Sequence, residues 1–223
     1  MSEELLVNVT PTETRVAVVE NGMLQEVYIE RSASKGIVGN IYKGKIVRVL
    51  PGMQAAFVDI GLERTGFIHA SDFAVVDKEG KEQRGGEVSD IRSMAWEGQS
   101  LVVQVIKEPI GTKGARLTTH LSVPSRYLVY MPHTRHIGIS QRIDDEEERT
   151  RLRELVEKCV EEEGVQEEGG LILRTAAEGA GEPELSADIK YFKRLWVALR
   201  RKMKERQAPA IVYEDLPLYM GTM

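Results

Sequence analysis

Residues 40–72 read NIYKGKIVRVLPGMQAAFVDIGLERTGFIHASD, and this stretch decides the fold. Pro51-Gly52 and Gly61 cut it into three short strands: Ile41 to Leu50, Gln54 to Ile60 and Thr65 to His69. Period-two alternation assigns their faces. Ala56, Val58, Ile60 and Ile68 share an apolar face, while Ala55, Phe57, Asp59, Thr65, Phe67 and His69 take the other. Phe57, Phe67 and His69 are therefore expected on the side of the sheet that faces water. Lys43 and Lys45 alternate outward on the first strand, where they could meet phosphates.

Ring side chains beside a basic strand form a platform for unstacked bases, at about 1–3 kcal/mol per stacked base. Any one of these aromatics alone reads as closing a small second core under a loop, with His69 merely hydrogen-bonded. Three rings on one face favour the platform.

Tyr42-Lys43-Gly44-Lys45-Ile46, Ala56-Phe57-Val58 and Gly66-Phe67-Ile68-His69-Ala70-Ser71 resemble the S1-type RNA-binding domain, a five-stranded OB barrel. The last block is fairly specific for that domain. The resemblance implies that Leu101 to Lys107 and Arg116 to Ser122 complete the barrel. Asp77 to Arg92, polar and carrying Gly80, Gly85 and Gly86, reads as a long surface insertion. Gly111-Thr112-Lys113-Gly114 brings a lysine to the barrel mouth, where OB loops touch nucleic acid.

Composition permits this reading without predicting it. The 223 residues suffice for one large domain or two to three small ones, and 42% hydrophobic content supports a packed core. No apolar run approaches membrane length and no basic-then-apolar leader opens the chain, so a cytoplasmic protein without a membrane span is the expectation. One cysteine, Cys159, excludes an internal disulfide and a Cys-Cys metal clip. The net charge of −5 is unevenly placed: residues 144–168 carry 4 basic and 12 acidic side chains, residues 188–206 carry 8 basic and 2 acidic. Affinity for a polyanion follows local charge, not the total.

Ahead of the barrel, Leu5 to Val9, Arg15 to Val19 and Leu24 to Glu30 read as three strands, with Asn21-Gly22 as a hairpin turn. Three bare strands need a partner layer. After the barrel, Tyr127 to Met131 and Ile137 to Arg142 read as short strands. Asp144 and Asp145 cap a helix to about Glu163, with Leu152, Leu155, Val156, Cys159 and Val160 as its buried stripe. Cys159 is thus a core residue, not a nucleophile. Gly169 to Leu173 is a strand, and a second helix runs from about Glu184 to Gln207. Its basic residues read as a solvated face more than as an RNA contact. Pro209 to Glu214 starts another strand close to the end of the chain, which reads as a truncation.

The strand ending at Leu173 delivers Arg174-Thr175 into a loop of small residues. Arginine offers a planar fork suited to phosphate oxygens, and threonine adds a hydroxyl and a backbone N–H. Arg142 ends the neighbouring strand and could converge on the same pocket. From spacing alone, Arg174 reads instead as a surface salt bridge to the acidic helix.

Longer stretches change that weighting. Residues 15–22 (RVAVVENG), 39–44 (GNIYKG), 55–59 (AAFVD), 113–119 (KGARLTT), 127–132 (YLVYMP) and 171–176 (LILRTA) resemble the N-terminal half of the ribonuclease E/G family, in particular its short G-type branch. The resemblance implies an α+β chain of several subdomains. Residues 1–38 begin a partial RNase H-like sheet, and 39–123 form the inserted S1 barrel. Residues 124–208 form an α/β 5′-sensor, and 209–223 start the return to the RNase H-like sheet. It implies that Arg174 and Thr175, with Arg142 nearby, hold the 5′-monophosphate of single-stranded RNA, and that Phe57, Phe67 and Lys113 grip the strand. The family hydrolyses RNA with Mg²⁺ on two aspartates and carries a structural Zn²⁺, both held by later residues. No cofactor and no catalytic carboxylate are therefore expected in this stretch, which should be inactive alone. Self-association is expected to need the later residues too. Asp59 and Asp72 read as turn or surface groups. The alternative is a non-enzymatic S1 protein, such as a translation or RNA-chaperone factor.

Overall fold

The computed structural model describes residues 3–31, 36–74, 90–165 and 169–215, which fall into two compact units, 1–37 with 215–223 and 38–214. The first unit is an antiparallel meander of β1 (Glu3–Val9), β2 (Glu13–Glu20) and β3 (Met23–Arg31). Asn21 and Gly22, at φ 49° and 77°, make the turn that the Asn-Gly pair foretells. Val16 is fully buried, whereas Leu6, Leu24, Val27 and Ile29 are exposed.

The second unit is built on a closed barrel. β4 (Ile41–Leu50), β5 (Ala55–Asp59), β6 (Gly66–His69), β7 (Ser100–Lys107) and β8 (Arg116–Thr118) pair in the order β4-β5-β6-β8-β7, and β7 returns to β4. This is a five-stranded, OB-like barrel. Tyr42, Ile46, Val58, Ile68, Val103 and Leu117 fill it, each 0–4% exposed, whereas Ile41 on the other face of β4 joins the core of the following sheet and helices. Gly66 points inward at a crowded place, where a Cβ would lie 2.5 Å from Leu117 Cδ1. The strands are shorter than alternation suggests. Gln54 adopts a left-handed conformation (φ 48°) and ends the 3-10 turn Pro51–Met53, so β5 begins at Ala55. β8 stops at Thr118, and beyond it Gln104, 4% exposed, bonds Gly39 and Ser122 through its amide.

Most of the expected insertion, residues 75–89, lies outside the described residues. Its end is helical: Asp90 caps the four-residue α1 (Ile91–Met94), and Ile91 N–H donates to Gln54 Oε1 at 3.0 Å.

Beyond the barrel, β9 (Val123–Pro124), β10 (Leu128–Met131), β11 (Ile137–Ile139) and β12 (Gly170–Leu173) form a sheet in the order β11-β12-β10-β9, with β11 and β12 parallel. The parallel pair is bridged by α2 (Glu146–Glu163), capped by Asp145 and ended by Gly164 at φ 64°. α3 (Glu182–Glu205) follows. Leu152, Val156 and Cys159 of α2 and Leu185, Ile189, Phe192 and Trp196 of α3 cover the sheet. Cys159 is fully buried, and burial pushes its thiol pKa up, as befits a core residue. β13 (Ala210–Tyr213) pairs with β4 on the barrel. Of the segment expected to rejoin the first sheet, Ala210–Tyr213 thus pairs on the barrel, Asp215 groups with the first unit, and residues 216–223 lie outside the described residues.

Candidate nucleic-acid interface

Two places in the second unit gather the residues that the sequence singles out. The first is the outer face of the barrel. Phe57 and Phe67 are cross-strand partners, half-buried between fully buried neighbours, with ring centroids 6.1 Å apart at 65°. The register extends this pair into a row. Arg48 of β4 stands opposite Phe57, and Arg116 of β8 stands beside Phe67 with Lys107 of β7 opposite it. Successive strands thus present Arg48, Phe57, Phe67, Arg116 and Lys107 as one cross-strand row that follows the curve of the barrel wall.

Strict alternation hides the ends of this row. It sends Arg48 inward with Ile46, and Lys107 inward with Val105. Both strands slip by one residue, between Ile46 and Arg48 and between Val105 and Lys107, and each slip turns the following cation outward. The sequence does hold a signal: a cation in the apolar register of a barrel strand cannot stay in the core, so it marks a bulge. Arg48 and Lys107 are exposed and make no ion pair among the described residues. Arg116 differs, since its Nε and Nη2 donate to Asp72 Oδ2 at 3.2 and 3.0 Å.

The other expected barrel residues divide. Lys45 is exposed opposite Asp59, and Lys113 is exposed at the turn closed by the Ile110–Lys113 bridge. Arg64 latches that turn by donating to the Gly111 carbonyl. His69 is half-buried on the same face as Phe67. Its Nδ1 accepts the Ser71 N–H at 3.2 Å, so it also caps the 3-10 turn Ala70–Asp72. Lys43 does not join the outer face. Its ammonium donates to the carbonyls of Met203 and Arg206 at 2.7 and 2.8 Å and caps the end of α3, which satisfies both its charge and the helix carbonyls. Ala55, assigned to the wet face by alternation, is fully buried.

The second place is the carboxyl end of the parallel pair. Ile139 of β11 aligns with Leu173 of β12, and Ser140 N–H donates to the Leu173 carbonyl at 2.9 Å. The two chains therefore leave the sheet side by side, one toward Arg142 and the other into Arg174-Thr175. All three residues are exposed. Arg174 makes no ion pair with α2 among the described residues; it donates through Nη1 to the Ser125 carbonyl instead. The loop after it is fixed from α2. Glu148 accepts the Gly179 N–H at 2.9 Å, and Arg151, doubly bonded to Glu148, donates to the Ala180 carbonyl at 3.1 Å. These hydrogen bonds hold the Glu148 carboxyl at a pKa of about 2, with Arg151 the larger cause.

The S1 RNA binding domain family matches residues 35–92, and the ribonuclease E/G family matches residues 122–223. Ribonuclease G of Escherichia coli (strain K12) is 54% identical over 220 residues, which cover 98% of this chain and 44% of the relative. The chain matches the N-terminal part of the ribonuclease E/G family. Other members agree: ribonuclease G of Haemophilus influenzae is 57% identical over 92% of this chain and 40% of its own length. Ribonuclease E of Nostoc sp. (strain PCC 7120) is 37% identical over 89% of the chain and 27% of its own length. The chain thus spans less than half the length of these family members.

Family chemistry calls for carboxylates on a metal. Among the described residues no group of three or more His, Cys, Asp or Glu could hold one. Asp59 accepts the Gly61 N–H at 2.9 Å and Asp72 is taken up by Arg116, so both serve the barrel. No cleavage step is derived from the described residues. No helix among the described residues is long and apolar enough to cross a membrane.

Proposed function

We propose that this chain is the substrate-holding part of a single-strand-specific endoribonuclease of the E/G type that acts in RNA processing and decay. Residues 39–123 hold the RNA strand, and residues 124–208 read its 5′-monophosphate. The observation that carries this reading is the outward row through Phe57 and Phe67, which offers two ring faces between cations. Bases lie on the rings, while Arg48, Lys107, Lys45 and Lys113 meet phosphates. His69 borders the rings. At the strand ends Arg174, Thr175 and Arg142 take the terminal phosphate. They offer two guanidinium forks and a hydroxyl on exposed backbone, and the α2 network holds the loop in place.

Short single-stranded RNAs with a 5′-monophosphate or a 5′-hydroxyl, titrated by fluorescence anisotropy, test both halves. The monophosphate is expected to bind more tightly. Arg174→Ala should abolish that preference, and Phe67→Ala should weaken both RNAs alike. Equal affinity for the two ends, unmoved by Arg174→Ala, would remove the phosphate site from the proposal.

A further inference from the structure

Four of the cations on or beside the barrel face, Arg48, Lys45, Lys107 and Lys113, carry charge without an ion-pair partner among the described residues. Arg116 is built otherwise. Two of its donors end on one oxygen of Asp72, whose side chain is 17% exposed, and the Arg116 side chain keeps 42% exposure. Asp72 is itself fixed, because its backbone carbonyl accepts the Thr118 hydroxyl at 3.0 Å and the Thr119 N–H at 2.9 Å. The result is a planar group of set orientation next to Phe67, with its charge compensated and three N–H donors unspent. Such a group adds little to the general attraction for phosphates. It is suited to directional hydrogen bonding with an acceptor in a fixed place.

Resting on the RNA-holding reading of this face, we infer that Arg116 is a specificity-determining residue. Held by Asp72, it reads a keto oxygen on the base beside the one stacked on Phe67. Guanidinium donates only, so it favours uracil O4 or guanine O6 over the amino groups that cytosine and adenine present there. Asp72 acts as a positioning residue.

The test uses 5′-monophosphorylated ten-nucleotide oligomers of uridine, cytidine or adenosine, titrated against the whole chain over a range of salt. The unsubstituted chain is expected to prefer the uridine oligomer. Arg116→Gln should reduce that preference about tenfold and leave the slope of log K against log salt unchanged. Arg116→Lys, which keeps the charge but loses the fork, should lose the preference equally. Asp72→Asn frees the charge, so it should weaken the preference while steepening the slope by about 0.7, the share of one phosphate on a single strand. The inference is overturned if Arg116→Gln weakens all three oligomers alike with a slope shallower by about 0.7, since that is a phosphate contact. It is equally overturned if the preference is unchanged. Thermal melting of each variant separates loss of fold from loss of reading. If the unsubstituted chain has no RNA affinity at all, the RNA-holding reading falls first and takes this inference with it.

Discussion

The barrel face and the strand-end site solve one problem, presenting donors and rings to a polyanion, by different means. On the barrel, the rings and every functional cation but Lys113 stand on strands whose other face is core. Phe67 points out while Gly66 and Ile68, on either side of it, are buried. At the strand ends Arg174 and Arg142 stand outside the strands, between buried neighbours such as Leu173 and Ile143, and the loop is held by a polar network from α2. A site on strands inherits the rigidity of the core. A site at strand ends borrows it from a few hydrogen bonds, and should give way more readily and more locally.

The sharpest way to break that contrast lies within β6. Ile68→Ala removes a side chain that is 0% exposed in the barrel and should cost about 2–5 kcal/mol of stability, enough to threaten the fold. Its neighbour Phe67 is half outside. Phe67→Ala should cost about 1 kcal/mol of stability, half of what full burial of such a ring is worth, but roughly 10- to 100-fold in RNA affinity from one lost stack. Urea unfolding and anisotropy on the two variants separate the effects. If Phe67→Ala unfolds the chain as readily as Ile68→Ala, the ring belongs to the core.

At the strand ends, Arg174→Ala should leave stability nearly unchanged and lower 5′-monophosphate discrimination by roughly tenfold or more, the worth of charge-assisted hydrogen bonds to one guanidinium. Binding of 5′-hydroxyl RNA should not move. A parallel loss for both RNAs would mean that the two regions do not act separately.

The two regions also differ in how plainly the sequence shows them. The strand-end site is legible because chain ends are written in residue types: Asp145 as a cap, Gly164 as a stop, and a run of small residues after Thr175. The barrel itself is legible too, since Ala56, Val58 and Ile68 alternate as a half-buried sheet must. Two things are not. Counting in twos carries no bulge, so it sends Arg48 and Lys107 to the wrong face unless a cation in the apolar register is itself read as the mark of a slip. A long-range cap leaves no residue signature: nothing local to Lys43 says that the end of α3, 160 residues on, will take its ammonium.

Lys43 turns that miss into a prediction. Lys43→Met removes two bonds to helix-end carbonyls and should cost about 1–3 kcal/mol of stability, visible as a lower urea midpoint. RNA affinity and its salt dependence should stay as they are, in contrast to Lys45→Met, which should make the slope shallower by about 0.7. If Lys43→Met changes the slope instead, its ammonium leaves α3 for a phosphate when RNA binds.

The smallest expected effect distinguishes the regions by pH. Each has one carboxyl held at a pKa of about 2 by a neighbouring arginine: Asp90 by Arg92 near the barrel and Glu148 by Arg151 near the strand ends. A folded-state pKa below the ordinary carboxylate value means stabilisation that is complete above about pH 4.5 and is lost as pH falls toward 2. The Asp90 pair is exposed and joins the cap of α1 to its first turn, so its loss should be felt only there. Glu148 ties α2 to Gly179, in the loop that Arg174 and Thr175 open. Ion pairs that solvent reaches contribute little, so global stability should barely register either change. Amide exchange at Gly179 should register one of them. Its protection should fall as pH drops through the Glu148 titration, after correction for the intrinsic pH dependence of exchange, and Glu148→Ala should remove it at neutral pH. Asp90→Ala should leave Gly179 untouched. Protection of Gly179 that survives Glu148→Ala would show that the loop is held by its own backbone, and the strand-end site would then be as rigid as the barrel face.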